Sequence, residues 1–236
     1  MKIFSIVLLF LTGLQVAWAG LSVAPIKLYI DKKQQRSTLV RLTSTQVPEA
    51  KIFEATAVKW TQNEKAEDIL EPVPDIIINP KNFILQPESS QVVRVGFRTQ
   101  PNVDAQEDTW RIIFSEVKPA NRDVDTLTFL WNISVPLFIG KQLPLDLNIR
   151  PVVSAGKTFI NIQNNANSHV QINQISIIDE NKKEIASNAE MKYLLAKKSY
   201  QFDFGHINIK DWHKYKLLIT TDKQEKPLEF NIQGEL

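Results

Sequence analysis

The 236-residue chain contains no cysteine. That excludes disulfide stapling, thiolate catalysis and most structural zinc sites, so the fold must be held by its core alone. Glycine is scarce, at seven residues, and neither a Gly-x-Ser-x-Gly elbow nor a glycine-rich phosphate loop occurs. The three histidines, His169, His206 and His213, lack metal-ligand spacing around a carboxylate cluster. Basic and acidic residues nearly cancel, 28 against 26, and no basic block interleaves with aromatics, which argues against a nucleic-acid partner. We therefore expect neither enzyme activity nor a cofactor. No apolar run after the first twenty residues approaches the length of a membrane span, so no span is expected in the mature chain.

The N-terminus has the layout of an export signal. Lys2 supplies a positive start, Ile3 to Leu14 an apolar core, and Ala17-Trp18-Ala19 a small-x-small cleavage site before Gly20. Residues 1–19 are expected to be removed on export to the periplasm.

Period-two patterning dominates the rest of the chain. Segments 21–30, 37–43, 50–60, 74–79, 91–98, 109–117 and 125–138 read as strands separated by turn-forming stretches such as Gln86-Pro87-Glu88. Seven short strands over this span predict an immunoglobulin-like sandwich at 20–140. Gly140-Lys141-Gln142-Leu143-Pro144 reads as a linker. Strands then resume at 146–153, 157–163, 169–178, 199–204, 215–221 and 227–232, predicting a second such sandwich at 145–236. The class is all-β, and only 188–197 is even weakly compatible with a helix.

The stretch 125–138 carries the most information. Leu127, Phe129, Trp131, Ile133 and Val135 recur at every second position, so an extended backbone places all five on one face. Such a stripe either crosses a sandwich core or is offered to another chain. Pro136 favours the second use, because a proline near a strand end belongs on a sheet edge. Asn132-Ile133-Ser134 matches a glycosylation sequon, which in mid-strand we take as chance.

Several motifs, in order, resemble the periplasmic chaperones of the chaperone–usher pathway, the PapD-like proteins that assemble pili. These are Ser22-Val23-Ala24-Pro25-Ile26-Lys27, Val58-Lys59-Trp60-Thr61-Gln62, Ile78-Asn79-Pro80-Lys81-Asn82-Phe83-Ile84-Leu85-Gln86-Pro87, Gln91-Val92-Val93-Arg94-Val95 and Trp110-Arg111-Ile112-Ile113-Phe114-Ser115-Glu116. In the second half, Ile162-Gln163-Asn164-Asn165-Ala166-Asn167-Ser168-His169-Val170 resembles the family's asparagine-bearing hairpin.

The resemblance implies two immunoglobulin-like domains at an angle with a subunit-binding cleft between them. It implies that 125–138 is the donor strand, completing a pilus subunit that lacks its own last strand, and that the complex is delivered to an outer-membrane usher. Lys27 takes the first of two basic positions that hold the subunit's C-terminal carboxylate. The second falls on Pro136, which has no charge, and Arg111 on the preceding strand is the candidate substitute.

Blander readings stand beside these. The stripe could be ordinary core, Trp60 is more readily core than ligand contact, and Asn164 a turn-stabilising amide. Arg94 and Arg111 could pair structurally with Glu107, Asp108 or Glu116. The rival function is a secreted two-domain adhesin or carbohydrate-binding protein. An exposed apolar stripe also makes a self-capping homodimer plausible in the absence of subunits.

Overall fold

The computed structural model describes residues 20–118, 129–207, 209 and 211–231. The expected signal segment and Leu127 lie outside the described residues. Among those described, no helix is long and apolar enough to cross a membrane.

The first sandwich is built from β1 (Gly20–Ala24), β2 (Leu28–Ile30), β3 (Ser37–Thr45), β4 (Lys51–Gln62), β5 (Asp68–Pro72), β6 (Ile76–Asn79), β7 (Asn82–Leu85), β8 (Ser90–Phe97), β9 (Asp108–Glu116) and β10 (Asn132–Ile139). One sheet runs β1-β3-β8-β6, and the other runs β2-β10-β9-β4-β5 with β7 also paired to β4. Alternation decides which residues turn inward. Val40 and Leu42 of β3, Val93 and Val95 of β8, Phe53 and Ala55 of β4, and Ile112 and Phe114 of β9 meet between the sheets. Leu39 and Arg41 face out. Burying a side chain of this kind contributes about 1.5–3 kcal/mol.

The second sandwich contains β11 (Leu147–Ser154), β12 (Lys157–Asn164), β13 (Val170–Asp179), β14 (Glu184–Asn188), β15 (Lys192–Leu194), β16 (Ser199–Asp203), β17 (Tyr215–Thr221) and β18 (Leu228–Asn231). Its sheets are β11-β12-β16 and β14-β13-β17-β18, with β15 on β13. Its core is formed by Ile160, Ile162, Ile172, Ile175, Ile177, Phe202, Leu217 and Ile219.

Four differences from the pattern-based reading have local causes. The segment 21–30 is two strands, because after Ala24 the chain crosses from one sheet to the other. The strand expected at 125–138 begins at Asn132 among the described residues. Four short strands, β5, β7, β14 and β15, fall outside the segments read as strands; β5 and β14 lie at sheet edges with no buried residue to impose an alternation. Segment 188–197 holds the end of β14 and all of β15 rather than a helix, since both pair with β13.

The two sandwiches join through a small core of Trp60, Phe138 and Leu195, flanked by Tyr29 and Tyr193. Gln62 bridges the junction with both ends of its amide. Nε2 donates to the Tyr193 carbonyl at 2.9 Å, and Oε1 accepts from the Leu195 N–H at 3.0 Å. Ala66, on the loop after β4, is fully buried within the second core.

Candidate functional site

The site begins at an open strand edge. β10 is antiparallel to β9 along its whole length, Asn132 opposite Ser115 through Ile139 opposite Asp108. On its other side, β2 covers only Leu137–Ile139. Among the described residues the flank of Asn132–Pro136 is unpaired, so a row of backbone groups is available to another strand. Pro136 sits within that flank, where a missing N–H costs no ladder bond.

The stripe is divided along its length. Phe129 is 84% exposed and Trp131 44%, whereas Val135 is 2% exposed and belongs to the chain's own core. Ile133 packs partly against that core. The half nearest the domain junction is thus internal, and the far half projects. Trp131 is still tied to β9: its carbonyl accepts from the Glu116 N–H at 2.8 Å and its own N–H reaches Glu116 Oε2 at 3.1 Å. Glu116 is in turn paired with Lys51 at 3.0 Å.

At the junction end of this edge stand the two cations. Arg111 lies opposite Pro136 across β9 and β10, and Lys27 immediately precedes Leu28, which pairs with Leu137. The neutral proline therefore has a cation on each side, Arg111 on β9 and Lys27 just before β2. Lys27 Nζ is 2.7 Å from Asp222 Oδ2. The Arg111 guanidinium lies 3.8 Å from the centroid of the Trp60 ring and 3.6 Å from Asp68 Oδ2. Burial pulls the Arg111 value down, and Asp68 partly restores it. Guanidinium starts so high that it remains charged.

The second sandwich supplies the other wall. The Tyr193 ring lies 5.3 Å from Lys27 Nζ and 5.8 Å from Arg111 Cζ, and it meets Trp60 edge-on at 5.3 Å. Burial, then the Asp222 charge, pushes the Tyr193 hydroxyl up to about 12, so it is a neutral donor at physiological pH.

Beneath lies a buried ionic cluster. His169 is stacked on Phe138 with ring centroids 3.5 Å apart. Its Nδ1 is 2.8 Å from Glu107 Oε1, which also accepts the His169 backbone N–H at 2.8 Å. Nε2 comes within 3.5 Å of Asp222 Oδ2, too long for a well-formed hydrogen bond. Burial alone would raise the Asp222 carboxyl. The approach of His169, the Lys27 bond and the Gln171 N–H outweigh it and hold the group well below the usual carboxylate range.

The candidate ion pairs read from sequence fall out differently. Arg94 Nη1 donates to Ser37 Oγ at 3.0 Å, Arg111 turns to Asp68, Asp108 pairs with Lys59, and Glu107 takes His169. Trp60 is buried and carries Arg111 on its face. Asn164 does hold its turn: Oδ1 accepts from the Ala166 N–H at 3.0 Å, while Nδ2 reaches the Ser168, Leu194 and Leu195 carbonyls. Sequence alone does not single out Glu107, Tyr193 and Asp222 as parts of a site. Their partners lie in the other half of the chain, and no local spacing signals them. Among the described residues no group of His, Asp and Glu could hold a metal ion.

Comparison with known proteins bears on the fold. The family described as pili and flagellar-assembly chaperone, PapD N-terminal domain, matches residues 21–140. No curated protein matches the chain significantly. Among solved structures, the chaperone–tip subunit complex CsuC–CsuE of archaic Csu pili from Acinetobacter baumannii superimposes with a TM-score of 0.65 at 17% identity, covering 91% of this chain and 98% of that one. The class 5 fimbriae chaperone CfaA gives 0.60 at 18%, covering 92% and 100%. The Salmonella enterica SafA pilin–SafB chaperone complex gives 0.59 at 11%, covering 91% and 97%.

Proposed function

Because this chain belongs to the pili and flagellar-assembly chaperone family, we propose that it is a periplasmic chaperone that captures pilus subunits on the β10 edge and passes them to an outer-membrane usher. The observation that carries this reading is the flank of Asn132–Pro136, unpaired among the described residues and ending between two cations at the domain junction.

A subunit lacking its last strand exposes a groove in its core. Added there, β10 would supply backbone hydrogen bonds, and alternate side chains would fill the pockets. Phe129 and Trp131 project and are the residues offered, with Ile133 at the margin; Leu127 continues the same alternation. Val135 remains in the chaperone's own core and fixes the strand. Each large side chain transferred would contribute about 1.5–3 kcal/mol before ordering costs. The subunit's terminal carboxylate would be received by Lys27, just before β2, and Arg111 on β9, on either side of Pro136. Release would follow when the next subunit's N-terminal strand takes the place of β10. Without a subunit, the same apolar edge favours a self-capped dimer. None of these steps makes or breaks a covalent bond.

The test is co-expression with a candidate pilus subunit, a small secreted β protein that lacks its own last strand. Recovery of that protein in a one-to-one periplasmic complex, lost on Phe129→Thr/Trp131→Thr, supports the proposal. Recovery unaffected by those changes, or elution of the chain by a sugar instead, would overturn it.

A further inference from the structure

We propose that Tyr193, supplied by the second sandwich, is a positioning residue that sets Lys27 and Arg111 for a peptide's free terminal carboxylate; this rests on the subunit-capture reading above. One ring faces both cations, at 5.3 Å from Lys27 Nζ and 5.8 Å from Arg111 Cζ. The electron-rich face of an aromatic ring attracts cations, most strongly where water is excluded.

Each cation is restrained on its own side as well, Lys27 by Asp222 and Arg111 by the Trp60 ring and Asp68. None of these fixes the gap between the two cations, because Lys27 leaves the bend before β2 and Arg111 leaves β9, on opposite sides of Pro136. The shared ring does fix it. Tyr193 is itself held, edge-on to Trp60 at an 84° interplanar angle and by its carbonyl, which accepts from Gln62 at 2.9 Å. The anchor is therefore a property of the joined sandwiches rather than of the first one alone. It suits a chain-terminal carboxylate at the end of an extended apolar segment, since the open β10 flank leads directly to the cations.

The probe is a short dansylated peptide alternating valine and threonine, made with either a free C-terminal carboxylate or an amide. Wild-type protein should prefer the free acid about tenfold, the scale of one charge-assisted hydrogen bond to the carboxylate. Tyr193→Phe should keep that preference, and Tyr193→Ala should remove it while thermal melts show the variant folded. Equal preference in wild type and Tyr193→Ala overturns the positioning role and leaves the capture reading standing. Loss of preference in Tyr193→Phe as complete as in Tyr193→Ala overturns the ring-face account. Absence of any preference in wild type overturns both this inference and the carboxylate anchor it rests on.

Discussion

Lys27 and Asp222, 195 residues apart in the chain, meet at 2.7 Å across the domain junction. The cation assigned to a subunit carboxylate therefore already has an internal partner. An incoming carboxylate must share Lys27 with Asp222, and Arg111 with the looser Asp68 contact at 3.6 Å.

That pairing gives Lys27 two separable roles. Lys27→Ala should weaken subunit capture and also cost stability, roughly 2–3 kcal/mol, less than the ~3–5 kcal/mol of a fully buried pair because both groups are partly solvated. Lys27→Met with Asp222→Asn removes both charges and should recover much of that stability without recovering capture. Urea unfolding and subunit pull-down on the two variants separate the roles. Restored capture in the double variant would show that Lys27 does not hold the subunit.

The divided stripe predicts opposite behaviour at its two ends. Phe129→Thr should change the chaperone's own stability by less than about 0.5 kcal/mol, the range of ordinary surface substitutions, yet reduce capture. Val135→Ala should cost about 1–2 kcal/mol of stability, being a buried truncation. Thermal melts on both variants decide this, and a large melting loss with Phe129→Thr would place that residue in the protein's own core.

Removing the partner of a buried group is costlier than removing a surface pair. Glu107→Ala leaves His169 facing a cavity with its Nδ1 and backbone N–H unpaired, and should cost about 3–5 kcal/mol. A destabilisation below about 1 kcal/mol in chemical unfolding would mean that water replaces the carboxylate.

Acid stability should report on Asp222. Its folded-state value is depressed, so its contribution is fully present above the ordinary carboxylate range and is lost as pH falls through the folded value. Wild-type stability should therefore drop as pH falls below about 4, and Asp222→Asn should flatten that limb. Parallel wild-type and Asp222→Asn curves from pH 7 downward would show that Asp222 does not drive the acid response.

Export with cleavage predicts that protein isolated from the periplasmic fraction starts at or near Gly20. N-terminal sequencing checks this, and an intact Met1 form in the membrane pellet would contradict it.

The long strands were legible because alternation in Val40/Leu42, Ile112/Phe114 or Ile160/Ile162 is imposed by a one-sided core and survives without any knowledge of partners. The short strands β5, β7, β14 and β15 were not: β5 and β14 have no buried residue, so no one-sided core patterns them, and all four are held by pairing with β4 or β13. Within the site, Pro136 announced a free edge by its own chemistry. The division of the stripe between Trp131 and Val135 was hidden, because period-two spacing assigns a face and says nothing of where a covering sheet stops. Glu107 with His169, and Tyr193 with both cations, were hidden for another reason: their distances exist only once the two sandwiches are joined.

Ala66 gives that joining a consequence for assembly of the chain itself. The loop after β4 is shaped by Asn63, whose Oδ1 accepts the Lys65 and Glu67 N–H groups at 2.9 and 3.0 Å, and it delivers Ala66 into the second core. The C-terminal sandwich is thus sealed by a plug synthesised about a hundred residues earlier, a separation that makes its completion a high-contact-order event. Its last packing step waits on the N-terminal sandwich, so the two halves should melt as one cooperative unit. Expressed alone, the C-terminal half would keep a hollow where the plug belongs.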